Sequence, residues 1–192
     1  MGKVRYGFEK LYYATLEDDG SYGTPTAWPG AVSFTAEPQG ETSSFAADNN
    51  GSYATFTTNS GYELTLEVAD VPESVYTDVY GDKKDGNGAI VENSDAQPKH
   101  IALLYMVKGN EKDQRFVFYD VTLSRPSLSA NTTSEDSTDP DTVSIDATAA
   151  LVEKTLGSDV IKTSKASLEL STTSKTAYDA WFTKVYEPVA SA

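Results

Sequence analysis

The sequence predicts a mainly β fold, and three observations carry that prediction. Threonine is abundant and there are 12 tyrosines, residue types that pack well on a pleated surface. Several stretches alternate apolar and polar residues with a period of two. Gly, Pro, Asn and Asp signals separate those stretches at short intervals.

The first run, Lys3 to Leu16, places Val4, Tyr6, Phe8, Tyr12, Ala14 and Leu16 on one face. Asp19-Gly20 marks a turn, and Gly23-Thr24-Pro25 with Trp28-Pro29-Gly30 a loop. From Ala31 to Glu37 the pattern turns Val32 and Phe34 inward, with Pro38 an end or an edge. Residues 40–60 are rich in Ser, Thr and Asn, with Asn50-Gly51 as a turn signal and Phe45, Tyr53 and Phe56 as scattered aromatics. They predict two weak strands in a long, protruding hairpin or loop. Tyr62 to Val68 is the clearest strand, with Leu64, Leu66 and Val68 on one face and Glu63, Thr65 and Glu67 on the other.

A short flanking helix is expected over about 72–80. Pro72 suits its first turn, Glu73 suits the positive end of the dipole, and Gly81 is placed to stop it. Ile101–Val107 and Arg115–Leu123 read as strands joined by the hairpin signal Lys108-Gly109-Asn110. Ser129–Asp141 lacks large apolar residues and is expected to be a long surface loop. Strands resume at Thr142–Ala149 and Ala166–Leu170. A C-terminal helix is expected over about 175–186, since Tyr178, Trp181, Phe182 and Val185 fall at i, i+3, i+4 and i+7 and should pack on the core. Ser174 is its expected N-cap and Pro188 its stop. A chain of 192 residues without an internal linker fits one domain, 1–192.

Composition narrows the chemistry. With no cysteine, disulfides, cysteine-rich zinc sites and thiolate catalysis are excluded. The balance of 15 Lys+Arg against 29 Asp+Glu, net −14, repels phosphate backbones and anionic lipid. No apolar run approaches the roughly 20 residues that span a bilayer. Met1–Lys10 lacks the apolar stretch of a signal peptide, so manufacture and use without export are expected. His100, the sole histidine, has no metal-ligand spacing and no serine elbow to serve. Asp82, Asp85 and Asn87 around Gly86 miss the calcium-loop spacing, and Gly81, Gly86 and Gly88 miss that of a phosphate loop. Glu63 and Glu67 could flank a glycosidic bond, but acidic strand faces are common in so negative a chain. No catalytic residue, cofactor or metal is expected, and the chain is not expected to be an enzyme.

Several stretches, taken in order, resemble the major tail protein (tail tube protein) of phages with long, non-contractile tails, mostly of Gram-positive hosts. They are Phe8-Glu9-Lys10-Leu11-Tyr12-Tyr13-Ala14 with Tyr22-Gly23-Thr24-Pro25, then Pro29-Gly30-Ala31-Val32-Ser33. Gly61-Tyr62-Glu63-Leu64-Thr65-Leu66 follows, then Asp70-Val71-Pro72-Glu73 with its closing Gly81, and Trp181-Phe182-Thr183-Lys184-Val185-Tyr186-Glu187-Pro188. The resemblance implies a β-sandwich whose subunits form hexameric rings stacked into a tube, assembled in the host cytoplasm and carried in the virion. It implies contact with the tape measure, tail tip and tail terminator proteins, and transit of DNA through the lumen without specific binding. Under it, Glu37, Glu63 and Glu67 are expected to line the lumen. Phe45, Asn50, Gly51, Tyr53 and Phe56 are expected on an inter-subunit loop. The alternatives are another virion structural protein, for tail completion or capsid decoration, and a carbohydrate-binding β-sandwich with an exposed Trp28 or a tyrosine ladder.

Overall fold

The computed structural model of the chain describes residues 2–130 and 141–190. In chain order its elements are β1 (Arg5–Thr15), β2 (Thr26–Ala27), β3 (Ala31–Gln39), β4 (Thr42–Ala47), β5 (Asn50–Thr57) and β6 (Gly61–Val68). Helix α1 (Glu73–Asp78), β7 (Lys83–Lys84), β8 (Ile90–Val91), β9 (Ile101–Gly109), β10 (Gln114–Leu123) and β11 (Val143–Ala149) follow. Then come β12 (Val152–Leu156), β13 (Asp159–Thr163), β14 (Lys165–Glu169) and α2 (Lys175–Ala180). The protein is mainly β, with a multi-strand antiparallel sheet and two short helices. The loop expected at Ser129–Asp141 falls, apart from its ends, outside the described residues.

The large sheet runs β2-β1-β9-β10-β11-β6-β3, and β14 also pairs with β10. Strand β10 is the branch point. Its first half lies between β9 and β14; past a register shift between Phe118 and Val121, its second half pairs with β11. The β3-β6-β11 arm therefore turns back over the β1-β9-β10 arm. Phe34 of β3 reaches across to Tyr105 (4.7 Å between centroids), Phe118 (5.8 Å) and Phe8 (5.9 Å). One sheet thus forms both layers.

Alternation puts Ile101, Leu103 and Tyr105 of β9 into the main core, with Leu64, Leu66, Val68, Phe118 and Ile145. Ala102 and Leu104 face the other way, into a second cluster with Val117, Tyr119, Trp181 and Val185. The apolar run of β9 is buried on both faces, as a short continuous run in a layered fold should be. Helix α1 caps the main core through Val75, with Val79 and Tyr80 just beyond it; Gly81 (φ +74°) turns the chain away.

The structure corrects several expectations. Lys3–Leu16 does not keep one apolar face. Gly7 and Lys10 have positive φ and coincide with register shifts against β9, so Leu11 and Tyr13 join Phe8 in the main core while Tyr12 and Ala14 face the second cluster. Val4 and Tyr6 are exposed, as is Val32 beside a register shift in β3. Pro38 does not end β3 but does mark an edge strand, the other expected outcome. The C-terminal helix ends at Ala180, and Trp181, Phe182 and Val185 pack from the turns that follow. Ser174 does not cap it by its side chain; its hydroxyl donates to the Glu169 carbonyl instead (2.7 Å). The hairpin of β12 and β13, turned at Gly157-Ser158, fills the stretch between the two strands that the sequence predicts at Thr142–Ala149 and Ala166–Leu170.

Gly61 opens β6 at φ +113°, and a Cβ there would lie 2.1 Å from the Ala149 carbonyl oxygen. Gly61→Ala is therefore expected to destabilise by more than about 1 kcal/mol in urea denaturation. Trp181→Ala, which empties a buried site and removes the hydrogen bond from Nε1 to the Phe116 carbonyl (3.1 Å), should cost about 3–5 kcal/mol. An unchanged midpoint in either variant would contradict this packing.

Candidate functional site

Two surfaces stand out, and they differ in kind. The first is the outer face of the β3-β6-β11 arm. Its inner face is committed to the core by Phe34, Ala36, Leu64, Leu66, Ile145 and Ala147, so the intervening side chains turn outward. Register places Glu37 directly opposite Glu63, Thr35 opposite Thr65, and Ser33 opposite Glu67. On the far side of β6, Thr148, Asp146 and Ser144 stand opposite the same three residues. The face is a lattice of carboxylates and hydroxyls, and none of these positions is Lys or Arg.

The hydroxyls serve the carboxylates. Ser33 Oγ and Thr142 Oγ1 donate to the two oxygens of Glu67 (2.9 and 2.6 Å), and Gln39 Nε2 donates to Glu63 (3.0 Å). The Thr142 and Ser33 hydrogen bonds hold the Glu67 carboxyl below its ordinary value of 4.5. Structure thus brings together the three sequence-expected glutamates. It adds Asp146, which sequence reasoning missed because nothing in the sequence shows that β11 pairs with β6.

The second surface is the β4–β5 hairpin, a two-stranded sheet apart from the large one. Its turn residues are Asp48 and Asn49, at φ +50° and +59°, with Ala47 opposite Asn50, so the turn precedes the Asn50-Gly51 signal. Phe45, Tyr53 and Phe56 are 58%, 59% and 61% exposed. Register puts Phe45 opposite Ala54 and Phe56 opposite Ser43, so both phenylalanines share one face and Tyr53 lies on the other.

The remaining sequence candidates have structural partners. Arg115, buried on β10, lies 3.7 Å from the Tyr178 ring centroid and 4.8 Å from that of Phe182, and it donates to the Tyr178 carbonyl. Tyr178, Trp181 and Val185 are buried; Phe182 stacks on Tyr12 at 4.7 Å. His100 is half exposed beside Asp120. Asp82 is buried and takes a bidentate pair from Arg125 (2.6 and 3.0 Å), whose hydrogen bonds lower its pKa. Asp85 accepts from the backbone N–H groups of Asn87 and Ala89, closing its own turn. Among the described residues no His, Asp and Glu side chains gather in a group of three that could hold a metal ion. None of the described helices is long and apolar enough to cross a membrane. Trp28, the aromatic platform of the carbohydrate-binding alternative, is 1% exposed, and its Nε1 donates to the Asp70 carbonyl (3.0 Å).

No protein-family model matches the chain, and no curated protein matches it.

Two outcomes follow from the acidic face. Glu37 and Glu63 repel across the strand pair, so Glu37→Gln should raise the thermal midpoint at low salt, with the gain shrinking as salt screens the charges. Glu67 titrates lower folded than unfolded, so its stabilising share is present above the ordinary carboxylate range and is lost as pH falls through the lowered value. In an NMR titration, Ser33→Ala with Thr142→Val should move the Glu67 midpoint up toward 4.5.

Proposed function

We propose that this chain is a non-catalytic structural subunit of a phage virion, which self-assembles into hexameric rings stacked as a tail tube through which DNA passes. The observation that carries the reading is the acid-and-hydroxyl face of the β3-β6-β11 arm. A conduit for DNA needs a wall that phosphates do not adhere to, and a hydrated surface of Glu37, Glu63, Glu67 and Asp146 with no interspersed cation meets that need. The ordered resemblance of the sequence to tail tube proteins supports the same reading. So does the exposed aromatic hairpin, which suits burial against a neighbour. On this reading the partners are further copies of the chain, the tape measure protein inside the tube, and the tail tip and terminator proteins at its ends. Burial of Trp28 removes one of the two features, beside a tyrosine ladder, on which a glycan-binding module was expected to rest.

Negative-stain microscopy of the purified protein is expected to show rings or tubes. Assembly should strengthen with salt, because subunits of net −14 repel over about 10 Å at 0.1 M ionic strength. Monomers alone, at high concentration and across salt, would overturn the reading. Virions carrying Glu63→Lys with Glu67→Lys should assemble yet eject DNA more slowly at low salt, as the new ammonium groups hold phosphates. Normal ejection would remove this face from the lumen.

A further inference from the structure

We propose that the groove between α2 and β14 is the receptor for the β4–β5 hairpin of a second copy of this chain, a head-to-tail contact that rests on the self-assembly reading above. The groove, of about 560 Å³, is lined by Leu168 of β14, Ala177 and Ala180 of α2, and Trp181, Val185 and Val189. Its walls are mostly apolar and open to solvent, and nothing else among the described residues fills it.

Three properties of the hairpin match it. Phe45 and Phe56 share one exposed face, and a cleft lined by small and aliphatic side chains is where such rings bury the most surface. Backbone edges are complementary as well. β14 has β10 on one side and no described strand on the other, while β4 and β5 pair only with each other. A hairpin strand laid beside β14 would satisfy both edges by strand addition. Charge agrees too. Residues 40–58 carry Glu41 and Asp48 and no Lys or Arg. At the groove, Glu187 is taken by Lys154 (2.8 Å), whereas Lys184 is exposed and has no carboxylate partner among the described residues. An acidic hairpin therefore meets a groove whose uncompensated charge is positive.

The chain's own hairpin does not fill the groove, because both phenylalanines remain exposed within the chain. Hairpin and groove are different surfaces, so passed head to tail from copy to copy the contact closes a ring or extends a filament, whereas exchanged reciprocally it would close a two-fold dimer.

The chain has no cysteine, which makes introduced thiols unique. Ser43→Cys lies opposite Phe56 on the phenylalanine face of the hairpin, and Thr176→Cys lies on the groove lip; both positions are exposed. Mixed and treated with a short bismaleimide, the two full-length variants should give a cross-linked dimer that neither gives alone. Adding Phe45→Ser with Phe56→Ser to the first, or Lys184→Glu to the second, should remove or sharply reduce that dimer, with circular dichroism confirming the fold. Cross-linking no greater in the mixture than in each variant alone overturns the proposal, and microscopy then separates the two readings. Rings or tubes without the specific cross-link would leave the tube reading standing and this receptor wrong. The cross-link without rings or tubes would leave the contact standing and the tube reading wrong. Absence of both overturns both.

Discussion

Burial of β9 on both faces is the constraint on which the rest of the structure depends. A strand that is apolar at every position from Ile101 to Val107 must be covered twice, and one sheet packed on one side cannot do that. The fold meets the demand by bending. Past the irregularity in β10 the sheet turns, so β11, β6 and β3 return over one side of β9 and bring Phe34 onto Tyr105 and Phe118. The other side is closed by Trp181, Val185 and the turns after α2. Each closure leaves a residue of unused surface. The bend exposes the back of the β3-β6-β11 arm, and the C-terminal cover leaves the groove beside β14.

What was legible in the sequence was whatever a single strand or helix decides by itself. Tyr62–Val68 shows its two faces in the alternation of Leu64, Leu66 and Val68 with Glu63, Thr65 and Glu67, and the structure keeps them. The flanking helix was visible in Pro72, Glu73 and Gly81, and the hairpin at residues 40–60 in its composition. What failed was decided by partners. Lys10 takes φ +54° opposite β9, an insertion that ordinary alternation cannot anticipate and that moves Leu11 and Tyr13 onto the Phe8 side. The Ser174 hydroxyl donates to the Glu169 carbonyl instead of accepting from the N–H groups of the helix it precedes. The Asp82–Arg125 pair joins residues 43 apart in sequence, and only the tertiary fold places them together. Trp28 stands among Pro and Gly like a surface residue, yet it meets Tyr13 edge-on within the core (6.2 Å).

The same distinction bears on the candidate surfaces. Glu37, Glu63 and Glu67 could be named from sequence because two strands each fix their own faces. That they form one field with Asp146 depends on the order β3-β6-β11, which joins segments more than 100 residues apart. The groove was invisible for the same reason. Leu168 and Ala177 lie on elements that have no meaning as neighbours until β14 is paired with β10.

Opposite charges and apolar surface are sorted in this chain so that its faces differ in how well they suit water or protein. Burying the β3-β6-β11 face against a neighbour would desolvate Glu37 and Glu63, already opposed to one another, and each unpaired buried carboxylate costs several kcal/mol. A neighbour would have to supply cations, and several of this chain's lysines already have carboxylate partners of their own. Lys84 pairs with Glu73, Lys108 with Glu9, Lys154 with Glu187 and Lys175 with Asp179. Under the proposed assembly, the desolvation cost of Glu37 and Glu63 therefore favours keeping that face in water. The hairpin has the reverse problem. Phe45 and Phe56 lose nothing by leaving water, and each returns roughly 25 cal/mol for every Å² of apolar surface it buries. Under the self-assembly proposed above, association would run through the hairpin and away from the acidic face, which would leave that face to line the enclosed space.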